Sequence, residues 1–127
     1  MVRPAAKELT ERELEVMHVF WKRGLLTAAE ARDHLAAQGI DRAYVTVANL
    51  VRLLVEKRFL EQTSADRPFQ YRPIRPFQEV SRSLVRDLVN RVFHGSREEL
   101  LVHVLGQKKL TTKERTVLEQ ILKEQDQ

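Results

Sequence analysis

Hydrophobic positions along the chain follow two rhythms. Between residues 11 and 23, Val16, Met17, Phe20 and Trp21 fall at i, i+1, i+4 and i+5, one stripe of an amphipathic helix that Gly24 stops. Residues 27–37 set Ala31 and Leu35 on one side of a second helix, which turns tightly at Gly39. A third, residues 42–57, points Val47, Leu50, Val51 and Leu54 inward. The rhythm then shortens to two β-runs, residues 60–63 and 69–71, joined by Ala65-Asp66-Arg67-Pro68. Runs this short are unstable alone and must rest on the helices. After Pro73 and Pro76 the helical rhythm returns. Residues 77–93 carry Leu84, Val85, Leu88, Val89 and Val92; residues 96–105 carry Leu100, Leu101, Val104 and Leu105; residues 112–124 carry Val117, Leu118, Ile121 and Leu122.

Four helix starts share one signature, a hydroxyl residue followed three positions later by glutamate: Thr10 with Glu13, Thr27 with Glu30, Ser96 with Glu99, and Thr111 with Glu114. In a capping box the hydroxyl accepts from an orphan amide of the first turn, and the carboxylate reaches back to the amide of the cap. Leu9 and Leu14 also stand at the staple positions of the first helix. Repetition of this signature before amphipathic runs predicts a mainly α protein. Each proline biases its predecessor towards extended backbone. The boundary between two parts is therefore expected there, with one domain over residues 7–75 and another over 76–127.

Helix, turn, helix and hairpin, in that order, outline a winged helix-turn-helix with a two-stranded wing. That fold lays its second helix in the DNA major groove. Charge agrees with the outline. Residues 42–75 hold seven Lys+Arg against three Asp+Glu, whereas residues 2–41 hold six against seven and the remainder nine against eight. The basic excess sits on the proposed reading helix and wing, where a phosphate-binding surface needs it. Arg42, Val45, Thr46, Asn49 and Arg52 share the outward face of the third helix. Arg pairs with guanine and Asn with adenine, and Val45 suits a thymine methyl; the same face also fits a solvated polar surface. Arg67 and Arg72 in the wing suit phosphates or a minor groove. Thr27 and the amides after it suit a phosphate at a helix N-terminus, or a plain capping box.

Other chemistries find little support. There are no cysteines, which excludes disulfides and thiolate metal sites. His18, His34, His94 and His103 lack the spacing of metal ligands. No nucleophile–base set or glycine-rich phosphate loop is present, so neither catalysis nor a cofactor is expected. Trp21, Phe59, Phe69 and Tyr71 have the spacing of core residues rather than of a base-stacking platform. No apolar run reaches the ~20 residues of a membrane span, and Met1 to Lys7 are too polar for a signal peptide. These features predict a cytoplasmic protein whose partner is double-stranded DNA. A winged helix that docks proteins instead is the alternative, but it should show an apolar or acidic third-helix face. The three C-terminal helices display a broader apolar face than they can bury alone, which predicts a homodimer through Leu84, Leu88, Leu101, Leu105, Leu118 and Ile121.

The order and spacing of several segments resemble the penicillinase-repressor family of bacterial repressors, the BlaI/MecI/CopY group. The segments are Leu9-Thr10 and Glu13 to Trp21; Thr27-Ala28 with Glu30; Ala43-Tyr44-Val45-Thr46-Val47 with Leu50, Leu54 and Glu56-Lys57; Arg67-Pro68-Phe69-Gln70-Tyr71-Arg72-Pro73; and Phe93-His94-Gly95-Ser96. The resemblance implies a homodimeric repressor on a palindromic operator, adds Tyr44 to the DNA-contacting set, and brings an inducing protease or sensor into view as a partner. This chain departs from the family pattern at Val45 (usually Thr), Leu53 (usually Arg) and Arg58 (usually Gly). The Cys-x-Cys pairs of the copper-sensing branch are absent. The Asn-Phe bond cut in the β-lactam branch aligns with Val104-Leu105, so neither residue of that pair is present.

Overall fold

The computed structural model describes residues 9–126. The expected domain start at Lys7 and the polar stretch Met1 to Lys7 lie outside the described residues. The chain runs α1 (Glu11–Arg23), β1 (Leu26–Thr27), α2 (Ala28–Ala37), α3 (Tyr44–Glu56), β2 (Leu60–Gln62), β3 (Gln70–Pro73), α4 (Phe77–Val92), α5 (Arg97–Leu105) and α6 (Thr112–Gln125). It is a mainly helical winged helix-turn-helix, with three further helices after the wing.

Caps set the helix starts. Thr10, Thr27 and Thr111 each close a complete capping box with the glutamate three residues on. At α5 only half of the box forms: the Ser96 hydroxyl accepts from the Glu99 N–H at 3.1 Å, without the return bond from the Ser96 N–H to the Glu99 carboxylate. Two helix ends share one terminator. After α2, the Gly39 N–H donates to the Ala36 carbonyl and the Ile40 N–H to that of Leu35; after α3, Arg58 and Phe59 donate likewise to Val55 and Leu54. This is the Schellman arrangement, which needs a left-handed residue at its first position. Gly39 supplies it at φ 84°, and Arg58 supplies it at φ 64° without a glycine's freedom.

The wing is larger than its sequence outline. The two expected strands pair antiparallel, with Glu61 opposite Arg72 and Gln62 opposite Tyr71, but a third strand joins them. β1 pairs with β3, Leu26 opposite Tyr71 and Thr27 opposite Gln70, giving the order β1-β3-β2. Two residues are too few to show an alternation of period two, so β1 has no signature in the sequence.

One core serves α1, α2, α3 and the sheet. Val16, Met17, Val19 and Phe20 of α1 meet Ala31 and Leu35 of α2, Val47, Val51 and Leu54 of α3, and Phe59 and Leu60 entering the sheet. Leu50 and Leu9 pack at its margin. Burying a side chain such as Phe20 or Phe59 contributes roughly 1.5–3 kcal/mol, and both are fully buried. Trp21 and Tyr71 are half-buried against this core, as their spacing implied. The Trp21 indole N–H donates to the Arg75 carbonyl at 2.9 Å.

The compact units divide within α4, between Arg86 and Asp87, rather than at the prolines. Pro76 does precede a helix start, yet Val80 is fully buried in the winged-helix core and Leu84 packs against it. The first turns of α4 therefore complete the winged helix, and Leu84 serves that core rather than lying on an open face. In the second unit, α5 and α6 contain no buried residue. Leu88, Val92, Leu101, Val102, Val104, Val117, Ile121 and Leu122 are all large exposed hydrophobics. Leu105 and Leu118 are half-buried.

Candidate nucleic-acid interface

Three elements converge on one concave face of the winged-helix unit. α2 begins there because Thr27 both pairs in β1 and caps the helix, accepting from the Glu30 N–H at 3.1 Å. α3 contributes its outward side, on which Tyr44 and Val45 are exposed, Val45 at 68 %. β2, β3 and the wing turn close the third side. Between them lies an open cleft of about 770 Å³ lined by Thr27, Ala28 and Ala29, by Tyr44, Ala48, Asn49 and Arg52, and by Gln62, Arg67, Pro68, Phe69 and Tyr71.

Five of the residues expected to meet DNA thus gather around one cleft: Thr27, Tyr44, Asn49, Arg52 and Arg67. Val45 is exposed on the same helix, and Thr46 is half-buried beside it. Arg42 and Arg72 are placed elsewhere. Arg42 precedes α3 instead of lying on it, and its guanidinium bonds both carboxylate oxygens of Glu15 on α1, at 3.0 and 3.3 Å. Arg72 follows Tyr71 on β3, so the pleat turns it to the opposite face of the sheet. There its Nε meets Oε1 of Glu61 at 2.6 Å, and it lines a separate hollow of about 450 Å³ with Trp21, Leu25 and Phe77.

Cleft electrostatics are set by two arginines. Arg52 pairs with Glu56 one turn on at 2.8 Å. Both side chains are largely exposed, so solvent screens this pair and a phosphate or base can displace it. Arg67 lies over the Phe69 ring, 5.5 Å from its centroid, which steadies a wing cation without neutralising it. Burial pushes the Tyr71 phenol above the ordinary tyrosine value, and neighbouring Tyr44 adds to the shift. Tyr71 therefore remains a neutral O–H at physiological pH, a donor or acceptor for a polar ligand.

Sequence reasoning missed Gln62, Pro68 and the alanines Ala28, Ala29 and Ala48, and it read Phe69 and Tyr71 as core residues although both line the cleft. Gln62 carried no signal of its own, because its place on the face of Tyr71 comes from the register of β2 with β3. The alanines matter by their size: short side chains on α2 and α3 leave the face concave. Among the described residues, no group of three His, Cys, Asp or Glu side chains is placed to hold a metal ion. No helix among them is long and apolar enough to cross a membrane.

Comparison with known proteins gives this geometry its setting. The chain is 23 % identical to the methicillin resistance regulatory protein MecI of Mammaliicoccus sciuri over 115 residues, 91 % of this chain and 93 % of that one. MecI of Staphylococcus aureus (strain N315) matches equally. Among solved structures, the DNA-binding domain of the repressor BlaI aligns with a TM-score of 0.52 at 23 % identity, covering 61 % of this chain and 93 % of that domain. The complex structure of hsRosR-SG aligns at 0.53 and 15 % identity over 97 % and 96 % of the two chains. These structural likenesses bear on the fold alone. The family model described as Penicillinase repressor matches residues 9–124, so the chain belongs to the penicillinase repressor family, DNA-binding repressors of the BlaI/MecI type.

Proposed function

We propose that the protein acts in the cytoplasm as a homodimeric transcriptional repressor, each winged-helix unit occupying one half-site of a palindromic promoter operator. One observation carries this reading: Asn49 and Arg52 of α3, Arg67 of the wing and the start of α2 surround a single open cleft. Side chains of α3 reach base edges, Arg67 meets the backbone, and the first amides of α2 meet a phosphate. Repression follows from occupancy, since a dimer across a promoter excludes polymerase.

The dimer reading draws on the exposed apolar side chains of α5 and α6, among them Leu101, Val104, Ile121 and Leu122. Monomers rarely leave so much apolar surface in water. Leu88 and the half-buried Leu105 and Leu118 belong to the same set, whereas Leu84 already has a place in the winged-helix core. For induction, Val104 and Leu105 replace the Asn-Phe pair, so release from the operator runs by a different cut, an effector or a fall in repressor concentration.

Selection of bound sequences from a random duplex pool tests the proposal. The expected product is a two-fold symmetric sequence whose half-sites lie about one or two helical turns apart. Enrichment of single, unpaired half-sites would remove the dimer, and no enrichment would remove sequence reading altogether.

A further inference from the structure

The N-terminal half of α1 holds the proposed reading helix at both ends. Glu13 and Glu15 stand two residues apart on that helix. The Glu13 carboxylate accepts from Lys57 Nζ at 2.8 Å, and Lys57 is the C-cap that follows the last residue of α3. The same oxygen accepts from the Thr10 N–H at 2.8 Å, so it is fixed by its own helix cap before it meets Lys57. Glu15 takes the other end through Arg42, which precedes the N-cap Ala43 of α3. Arg42 and Glu15 are each only about a quarter exposed, at 28 % and 26 %, so this pair is shielded more than the exposed Arg52–Glu56 pair. Ala43, at the start of α3, offers no side-chain cap, and the tether from Arg42 fixes the entry that a capping residue would otherwise define.

We infer that Glu15 and Arg42 are positioning residues for base reading. They act through the pose of α3, with Glu13 and Lys57 fixing its other end, and Arg42 is not itself a DNA contact. The inference rests on the DNA-binding reading above and goes beyond it. Base reading rests on hydrogen bonds to groove edges that weaken steeply with distance and angle, whereas attraction to the phosphates is electrostatic and independent of sequence. Loss of the tether should therefore reduce discrimination between sequences more than it reduces binding to DNA in general.

The test compares Glu15→Gln, Arg42→Ala and the double variant against two probes: a duplex selected by the wild-type protein from a random pool, and the unselected pool. The readout is the ratio of the two affinities and the salt dependence of each. Both single variants are expected to lower the ratio on the order of tenfold, the cost of about one mismatched base pair. The salt slope should stay unchanged, because the same phosphates are neutralised as before. The double variant should lose no more than either single one. Thermal unfolding of each variant well above the assay temperature separates this loss from partial unfolding, and Arg42→Lys, which keeps the charge, should restore part of the ratio.

The inference fails if Glu15→Gln preserves or raises the ratio while Arg42→Ala weakens both probes and flattens the salt slope, for then Arg42 meets a phosphate. It fails equally if the two losses add. Failure of the wild-type protein to select any duplex is a different outcome. That result removes the DNA reading itself, and the positioning role with it.

Discussion

The indole N–H of Trp21, near the end of α1, donates to the main-chain carbonyl of Arg75 at 2.9 Å. That bond joins the first helix to the segment leading from the wing into α4. Next to it the Arg75 guanidinium lies 4.8 Å from the centroid of the buried Phe59 ring. The Trp21 ring also meets Phe77 edge-on, with centroids 5.3 Å apart. The Ile74 N–H also donates to the Phe59 carbonyl at 2.9 Å and Arg75 pairs with Glu79 at 3.5 Å, so the junction combines directional bonds with aromatic contacts.

Trp21→Phe keeps an aromatic ring but deletes the donor, leaving the Arg75 carbonyl without that partner. A destabilisation of about 1 kcal/mol is expected, read as a lower urea midpoint with an unchanged slope. A slope that also fell would mean that the junction had opened rather than merely given up a bond.

Acid should weaken the contact between α1 and α3. Burial alone would raise the Glu13 carboxyl, but hydrogen bonds from Lys57 and Thr10 and the Lys57 charge prevail and leave it below the usual glutamate value. A lowered folded-state value means that the unfolded chain binds the proton more readily. The stabilisation is therefore complete above the unfolded glutamate value and is lost as pH falls through the lower, folded one. Glu13→Gln should cost roughly 1–3 kcal/mol near neutrality, with Lys57's partial exposure favouring the lower end. Urea midpoints of the two proteins, measured between about pH 7 and pH 3, should converge in acid. A constant difference would show that the charge of Glu13 contributes nothing.

Much of the winged helix was legible because its signals are local and repeated. Stripes such as Val16, Met17 and Phe20 locate a helix wherever its partners lie, and three of the four capping boxes close as written. What stayed hidden depends on contacts distant in sequence. β1 exists only because β3 offers Leu26 and Thr27 an edge. Pro73 and Pro76 break the local pattern, but packing carries the first unit on through Val80 and Leu84. Arg42 and Arg72 carry the charge expected of DNA contacts. Glu15 and Glu61, distant in sequence, decide where their guanidinium groups go.

Arg58 is a place where a simple substitution should stabilise the fold. Its φ of 64° is the left-handed conformation that a side chain makes costly. Arg58→Gly relieves that cost while giving the unfolded chain more freedom, for a net gain of about 0.5–1 kcal/mol. Thermal unfolding should move up by a few degrees. A lower midpoint would mean that the arginine side chain makes an interaction worth more than the strain.

If α5 and α6 form the interface, Ile121→Asp should separate oligomerisation from folding. Ile121 is 48 % exposed in the single chain, so aspartate disturbs little of the protomer. Buried against a second copy, it would place an uncompensated charge in the interface and cost several kcal/mol. Sedimentation should show a wild-type dimer and a variant monomer with unchanged helical content. A wild-type monomer at micromolar concentration would leave the exposed apolar surface without this explanation.

Asn49 and Arg67 share the cleft but should act differently in DNA binding. Operator affinity should fall steeply with salt, because each neutralised phosphate releases counterions. A dimer making roughly 6–10 phosphate contacts would lose about 10³- to 10⁵-fold between 50 and 200 mM salt. Arg67→Ala should weaken all duplexes alike and reduce the slope by about one for each phosphate left unneutralised. Asn49 carries no charge, so Asn49→Ala should leave the slope unchanged. It should instead relax preference at one base position in each half-site, a discrimination of about 1–3 kcal/mol. Titrations of both variants against the selected duplex and against single-base changes within it separate the two roles. Uniform weakening by Asn49→Ala at every position would assign that side chain to the DNA backbone, leaving base reading on α3 to Arg52 and Tyr44.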